Sequence, residues 1–155
     1  MTCRRKFIGV AVVGGIATVL LSLLVWTGKT PYSADYRHRI QTEMMLRLLT
    51  AALCAYGDMY GAYPAGDNAA ILRQLTGDNP RKTVFLAGLT PYKDSKWPPS
   101  AAMDAEKRVV DGWNTPFQFE FGLVNRLVSA GRDKRFGTPD DFLQFFPAPG
   151  GKRKK

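Results

Sequence analysis

Residues 116–121 read Pro116-Phe117-Gln118-Phe119-Glu120-Phe121, so an aromatic side chain alternates with a polar one. Successive side chains of a β-strand point to opposite faces, and this alternation is typical of a strand buried on one face. Asp111-Gly112 precedes the strand and is a turn signal. The segment therefore predicts a half-buried strand that begins just after a tight turn.

Two further strands are predicted downstream of this one. Residues 122–125 can reverse the chain, and Arg126 to Ala130 then provide the partner strand. A polar loop, Gly131 to Asp141, leads to a third short strand, Phe142 to Phe146. Consecutive strands joined by short turns pair antiparallel, so we expect a small antiparallel sheet.

Upstream of the predicted sheet, apolar residues recur every three or four positions instead of every second position. This spacing predicts an amphipathic helix. The helix ends before Gly61 and Pro64, and Ser33 or Asp35 is its expected N-cap. The residues that carry this pattern are Ile40, Met44, Leu48, Cys54 and Tyr56, interleaved with Met45, Leu49, Ala52, Leu53 and Tyr60.

A short helix, Ala69 to Thr76, is predicted next, with Asp67 or Asn68 at its start. Residues 82–110 are predicted to form a long surface loop with a short strand. One long helix against an antiparallel sheet is an α+β layer architecture.

The N-terminal region predicts a membrane anchor. Phe7 to Trp26 is an uncharged run of about 20 residues, which as a helix matches a bilayer core about 30 Å thick. Arg4, Arg5 and Lys6 precede the run and favour a cytoplasmic N-terminus. A cleaved signal peptide is the alternative, but its apolar run is usually shorter and ends in small residues rather than in Trp26.

These features divide the chain into four parts. We expect a cytoplasmic basic leader (1–6), a transmembrane helix (7–26), an exported domain (32–146) and a flexible basic tail (147–155). The formal net charge is +9, and both terminal clusters contribute to it. A basic tail can bind nucleic acid or anionic lipid, but it follows a Pro- and Gly-rich linker and is interpreted as a solvated end, with no nucleic-acid partner.

No catalytic site is predicted. The single histidine, His38, lies between Arg37 and Arg39 and has no local group to orient it as a general base. Cys3 and Cys54 are expected on opposite sides of the membrane, and neither has metal-site spacing. Cys54 falls within the helical apolar pattern and is predicted to be buried.

One cluster of oxygen-bearing side chains stands out in the loop after the second strand. Ser129, Asp133, Asp140 and Asp141 lie close together in sequence, and Gly131 and Gly137 allow the backbone between them to fold tightly. Calcium prefers several oxygen ligands, and a cation would offset the repulsion between adjacent aspartates. In the alternative interpretation the aspartates cap turns or face water.

Three segments in this order resemble the major pseudopilin of the type II secretion system, within the type IV pilin-like superfamily. They are residues 60–64 (Tyr-Gly-Ala-Tyr-Pro), similar to the family's helix exit; residues 111–117 (Asp-Gly-Trp-Asn-Thr-Pro-Phe), similar to its Asp-x-Trp-Gly-x-Pro-aromatic signature; and residues 129–133 with 137–141, similar to its calcium loop. Asn114 stands where the family usually has glycine.

The resemblance implies a type IV pilin-like fold, a calcium ion and a structural role in protein export. It implies that Asp133, Asp140 and Asp141 are calcium ligands, together with Ser129 and the Leu127 carbonyl. It also implies a single-pass inner-membrane protein with its domain in the periplasm. Copies of the chain would assemble with one another, with other pseudopilins and with secretion-system membrane components.

The N-terminus departs from the family pattern at two positions. The family has a glycine before the cleavage site and a glutamate at the fifth mature position, whereas this chain has Lys6 and Ala11. That glutamate is thought to pair with the terminal amine of a neighbouring subunit. Its absence favours a second hypothesis, in which the chain is a membrane-anchored, non-polymerising module that binds a partner.

Overall fold

The computed structural model describes residues 33–91 and 102–150, and the described residues from Ala34 onward belong to one compact unit. The predicted leader (1–6), the predicted transmembrane helix (7–26) and the basic end of the tail lie outside the described residues. Within the described ranges, no helix combines the length and the apolar character that crossing a bilayer requires.

The first helix, α1, runs from Ala34 to Tyr60, and the amphipathic prediction is confirmed. Of the interleaved apolar positions, Met45, Leu49 and Leu53 are fully buried, whereas Leu48 is 42% exposed. The buried stripe therefore follows steps of four from Met45. The helix ends where Gly61 takes a positive φ of 72° and donates its N–H to the Gly57 carbonyl.

The second helix, α2, runs from Asn68 to Leu75. Of the two predicted N-caps, Asp67 occupies the position, and its carboxylate accepts a hydrogen bond of 2.8 Å from the Ala70 amide. Ile71, Leu72 and Leu75 are buried in the core that α1 also lines. The short helix thus covers one end of the apolar stripe of α1.

The described parts of residues 82–110, which are 82–91 and 102–110, are more regular than the sequence predicted. They contribute three two-residue strands, β1 (Thr90–Pro91), β2 (Ala102–Met103) and β3 (Val109–Val110). β1 pairs parallel with β2, and β2 pairs antiparallel with β3. The prediction of a long loop with one short strand was therefore wrong in the number of strands. Strands this short leave almost no periodic pattern, so pairing between distant segments defines them.

The main sheet contains β4 (Gln118–Glu120), β5 (Asn125–Ser129) and β6 (Phe142–Phe146) in the order β4-β5-β6. Both pairings are antiparallel, as predicted, with Leu127 opposite Phe119 on one side and Gln144 on the other. The aromatic alternation is only partly reflected in burial. Phe117 is buried and Phe119 half-buried, but Phe121 is 38% exposed and stacks on Tyr63.

The core lies between α1 and this sheet, and the chain has α+β architecture. Leu127 and Phe146 from the sheet join the buried residues of both helices. Cys54 is buried in the same cluster, as predicted. The described residues carry equal numbers of acidic and of lysine plus arginine side chains, so the net charge of +9 resides in the remaining segments.

Candidate functional site

The turn before β4 is built around the carboxylate of Asp111, which is fully buried. Its Oδ1 accepts hydrogen bonds of 2.9 Å from the amides of both Trp113 and Thr115. Its Oδ2 accepts a hydrogen bond of 2.6 Å from the Ser129 hydroxyl. Burial raises the pKa of Asp111, although these three hydrogen bonds favour the ionised form and oppose the shift. The carboxylate thereby ties the turn to the end of β5.

Gly112 brings the same turn into direct contact with α1. Its N–H donates to Oγ1 of Thr42 at 2.9 Å, and the Thr42 hydroxyl donates to the His38 carbonyl at the same distance. A Cβ on Gly112 would lie within 2.6 Å of the His38 Cα and closer still to its carbonyl oxygen. Only glycine therefore allows the turn to approach the helix this closely.

Trp113 completes the junction through its indole ring. The ring lies 5.9 Å from the His38 imidazole in an edge-on geometry and 5.8 Å from the Phe142 ring. The Arg39 guanidinium lies 5.6 Å from the centre of the Phe142 ring. Aromatic pairs at these separations are stabilising beyond the area they bury. His38 is therefore a packing partner of Trp113 in this structure.

The loop between β5 and β6 starts from Ser129, which is also fully buried. Besides donating to Asp111, its Oγ accepts from the Gly131 amide at 3.2 Å. Gly131 has a positive φ of 65°, and a Cβ there would contact the Asp140 carbonyl oxygen and lie 2.8 Å from Asp140 Oδ2. The loop thus closes on itself at Gly131 and Asp140.

Each predicted aspartate ligand accepts a hydrogen bond from a loop amide. Asp140 Oδ2 accepts from the Asp133 amide at 3.1 Å, and Asp141 Oδ2 accepts from the Gly137 amide at 2.7 Å. Asp133 Oδ1 accepts from the amide of Arg135 at 2.8 Å. The Thr138 hydroxyl donates to Asp140 Oδ1, and this bond lowers the pKa of Asp140. The loop therefore folds around its carboxylates.

The five predicted ligands come from β5 and from the loop that follows it. Ser129 is directed towards Asp111, and Leu127 is a fully buried core residue in the middle of β5. Across residues 33–91 and 102–150, no group of three acidic, histidine or cysteine side chains has an arrangement that could hold a metal ion. The structure brings Asp133, Asp140 and Asp141 into one loop and places Ser129 at its base.

An open groove of about 480 Å³ lies between this loop and the start of α1. Its apolar part is formed by Trp113, Phe142 and Leu143. Charged side chains of both signs surround it: Asp35, Arg39, Arg132, Asp140 and Asp141. Arg132 and Asp35 approach to 3.9 Å across it, and both are largely exposed. Such an exposed pair contributes little to stability.

Asn68 links α2 to the strands in a way that the sequence did not indicate. Its Nδ2 donates to the carbonyls of Val109 and Phe117, at 3.2 and 2.7 Å, and its Oδ1 accepts from the Val109 amide. A single amide therefore pairs with backbone groups of two separate segments. The sequence indicated Asn68 only as an alternative to Asp67 at the start of the short helix.

No protein-family model, curated protein or solved structure matches the chain. The functional hypothesis consequently depends on the residues and geometry described above.

Sequence reasoning missed the roles of Asp111 and Thr42. Asp111 was recognised as a turn residue and as part of a motif, but its burial against Ser129 was not foreseen. Thr42 falls on the buried face of α1 and is a polar residue in an apolar stripe. Its position in the apolar stripe was the signal of a contact that the sequence offered, because a buried hydroxyl requires a hydrogen-bond partner.

Proposed function

We propose that the chain is a pseudopilin-like structural subunit of a type II secretion or related filament that assists protein export. In this proposal residues 7–26 anchor it in the inner membrane, and the α1–sheet unit lies in the periplasm. The main support is the junction at residues 111–113. Asp111 binds the base of the loop, Gly112 contacts α1 and Trp113 packs on β6.

The junction supports this proposal because its residues are those of the pseudopilin signature. A pilin-like subunit requires a long helix that is held rigidly against a small antiparallel sheet. Here one seven-residue segment contacts the helix, the end of β5 and the start of β6. Asn114, which replaces the glycine usual in the family, has a positive φ of 61°, a conformation that asparagine tolerates better than most residues. The substitution is thus compatible with the turn.

The charge distribution is consistent with the proposed topology. Acidic and basic side chains balance in the described residues, whereas Arg4, Arg5 and Lys6 stand directly before the apolar run. Such a cluster next to a membrane helix favours the cytoplasmic side. The α1–sheet unit would then be exported.

We also propose calcium as a stabilising ion of the 129–141 loop, with Asp133, Asp140 and Asp141 as carboxylate ligands. An ionised carboxylate offers about four acceptor sites, so loop amides do not exhaust these side chains. The Ser129 hydroxyl uses one lone pair for the Gly131 amide and keeps a second for a cation. The Leu127 carbonyl is the remaining expected ligand. A cation here would hold the loop closed, a structural role.

A second candidate function is a membrane-anchored pilin-like module that binds a partner and does not polymerise. The observation that favours it is the pair Lys6 and Ala11. Without the glutamate expected at position 11, a neighbouring subunit's terminal amine lacks its buried partner. Assembly would then require different contacts.

Replacement of Ala11 distinguishes these two functions. We would express the chain in a bacterium with a type II secretion system and count sheared filaments by electron microscopy. Ala11→Glu is expected to raise the filament yield severalfold, and Ala11→Gln, which is similar in size but uncharged, should leave it unchanged. An absence of filaments from the parent chain and from both variants would argue against the filament and favour the module.

A further inference from the structure

Residues 121–124, with the sequence Phe-Gly-Leu-Val, connect β4 to β5 and give this hairpin an apolar tip. Leu123 is completely exposed, Val124 is 60% exposed, and Phe121 is partly exposed beside them. Hairpin turns usually carry glycine, asparagine or aspartate rather than branched apolar residues. Because the fold gains almost no burial from Leu123 and Val124, these adjacent side chains indicate a contact with something outside the chain.

The chain leaves the sheet beside this tip. Phe146, the last residue of β6, is paired with Asn125, the first residue of β5, so β6 ends at the same end of the sheet as the tip. The Tyr63 ring stacks on the Phe121 ring at 5.2 Å, and the Tyr63 hydroxyl donates to the Pro147 carbonyl. The segment that follows β6 therefore starts next to the tip, at the C-terminal end of α1.

The sequence that follows is strongly basic. Residues 152–155 read Lys-Arg-Lys-Lys and begin two positions after Gly150. Glu120 and Arg126, which flank the tip, pair with one another at 2.7 Å, so their charges offset each other. Asp58 in the last turn of α1 adds one negative charge, which the four positive charges outnumber. The sequence alone indicated a solvated end, whereas the fold places the start of this basic segment beside exposed apolar side chains.

We propose that the 121–124 tip and residues 152–155 together attach the α1–sheet unit to the surface of an anionic phospholipid bilayer. Leu123 and Val124 would enter the boundary between headgroups and acyl chains, and the basic side chains would bind lipid phosphates. Stable attachment to such a surface generally takes two signals, an apolar group and a polybasic segment. The chain brings both to one end of the unit.

The shape of the tip favours lipid over an acidic protein as its partner. A stable protein interface buries about 800 Å² on each side, and the side chains of one hairpin tip offer much less. Fluid acyl chains need no complementary surface, because they close around any apolar group that enters. Attachment would hold the unit at the end of α1 opposite to Ala34, where residues 1–33 join it. It does not require the chain to form filaments.

Vesicle binding by the full chain tests this proposal. The chain is placed in nanodiscs of phosphatidylcholine, which accommodate the predicted transmembrane run, and is mixed with sucrose-loaded vesicles that contain phosphatidylglycerol. Sedimentation then measures the bound fraction. Binding is expected to be at least about tenfold stronger than to vesicles of phosphatidylcholine alone and to weaken at high salt. Equal binding to the two kinds of vesicle would overturn the proposal.

Two variants separate the apolar and the charged contributions. The double variant Leu123→Ser, Val124→Ser should bind at least about tenfold more weakly, and so should a chain with glutamine at all four positions 152–155. Leu48→Ser is the matched control, because Leu48 is an exposed leucine of α1 that lies twelve residues before its end. Melting temperatures check that each variant is folded. Parental binding by either test variant would contradict a joint attachment site.

An acidic peptide distinguishes a protein partner from lipid. The probe is a capped ten-residue peptide of alternating leucine and glutamate, which offers apolar and negative groups without a bilayer. We expect it to bind at least about tenfold more weakly than the vesicles, because a short peptide cannot surround the tip. Binding as tight as that of the vesicles, and lost in the Leu123→Ser, Val124→Ser variant, would overturn the lipid proposal and identify an acidic protein as the occupant.

Discussion

The Ser129 hydroxyl donates a hydrogen bond of 2.6 Å to Oδ2 of Asp111, and both residues are completely buried. This contact joins the end of β5 to the turn that precedes β4. The same turn also contacts α1 through Gly112. A buried carboxylate is costly unless hydrogen bonds compensate it. The chain provides three such bonds, so the Asp111–Ser129 pair is a point where sequence-distant segments depend on each other.

We expect Asp111→Ala to lower the free energy of unfolding by about 2–4 kcal/mol, because it leaves the Ser129 hydroxyl and two amides without their acceptor. Ser129→Ala should cost about 1–3 kcal/mol. The double variant is expected to lose less than the sum, with a coupling energy of about 1–3 kcal/mol. Urea denaturation of the four proteins in detergent measures this cycle.

The exposed pair Arg39 and Glu43 provides a matched control for the cycle. Their side chains form an i,i+4 ion pair of 3.1 Å on α1. Exposed helical pairs of this kind contribute about 0.3–0.5 kcal/mol, so their coupling should be much smaller. Comparable coupling in the two cycles would contradict a special role for Asp111 and Ser129.

The raised pKa of Asp111 predicts a pH dependence of stability. Between its unfolded and folded pKa values, the native protein retains a proton that the unfolded chain has released. The contribution of this group to the free energy of unfolding therefore falls as pH rises through that interval, which starts near the ordinary aspartate pKa of about 3.9. Asp140 acts in the opposite direction, because its pKa is lowered and its contribution is lost as pH falls.

Asp111→Asn separates these two effects, since it removes the titration of Asp111 and retains that of Asp140. We expect the stability difference, parent minus variant, to decrease as pH is raised from about 3.5 to 7. Denaturant titrations at several pH values measure it. A difference that stays constant or increases with pH would show that Asp111 does not titrate with a raised pKa.

The close contact at Gly112 predicts a large effect from a single methyl group. Gly112→Ala places a Cβ against the His38 backbone, which cannot move without disturbing α1. We expect a loss of about 3 kcal/mol or more. Gly122→Ala is the control, because a Cβ at Gly122 meets no atom within 4 Å and its φ is not positive. Thermal unfolding of both variants tests the contact, and equal melting temperatures would argue against it.

Much of the architecture could be predicted because the responsible patterns are local. The four-residue steps from Met45 to Leu53 indicate α1, and the apolar content of residues 126–130 and 142–146 indicates two strands. The sheet of β1, β2 and β3 could not be predicted, because a pair such as Met103 and Val109 is defined only by contacts between segments.

The candidate site likewise combines features that local sequence patterns predict with contacts that they do not. Asp133, Asp140 and Asp141 are close in sequence and share a loop, so their association was visible in the sequence. The contacts of Asp111 with Ser129 and of Gly112 with Thr42 span 18 and 70 residues. No local periodicity encodes such long-range pairs; they depend on how the turn meets the helix. The sequence indicated the residue types, and the fold determined their partners.

The last prediction concerns calcium and Asp140. If the 129–141 loop binds calcium, the ion should raise the melting temperature of the full chain in detergent, and a chelator should reverse the increase. Asp140→Ala is expected to abolish the calcium-dependent part, because this carboxylate lies nearest the backbone of Gly131 and Asp133. In chelator the variant should lose only the stability that its hydrogen bonds supply.

The matched control for the calcium experiment is Asp78→Ala, an exposed aspartate in the turn after α2. It should retain the full calcium effect, since Asp78 belongs to a different part of the surface. An equal destabilisation of Asp140→Ala in calcium and in chelator would identify the carboxylate as a turn-forming group only. The loop would then be stabilised by its hydrogen bonds to Asp133, Gly137 and Thr138, without an ion.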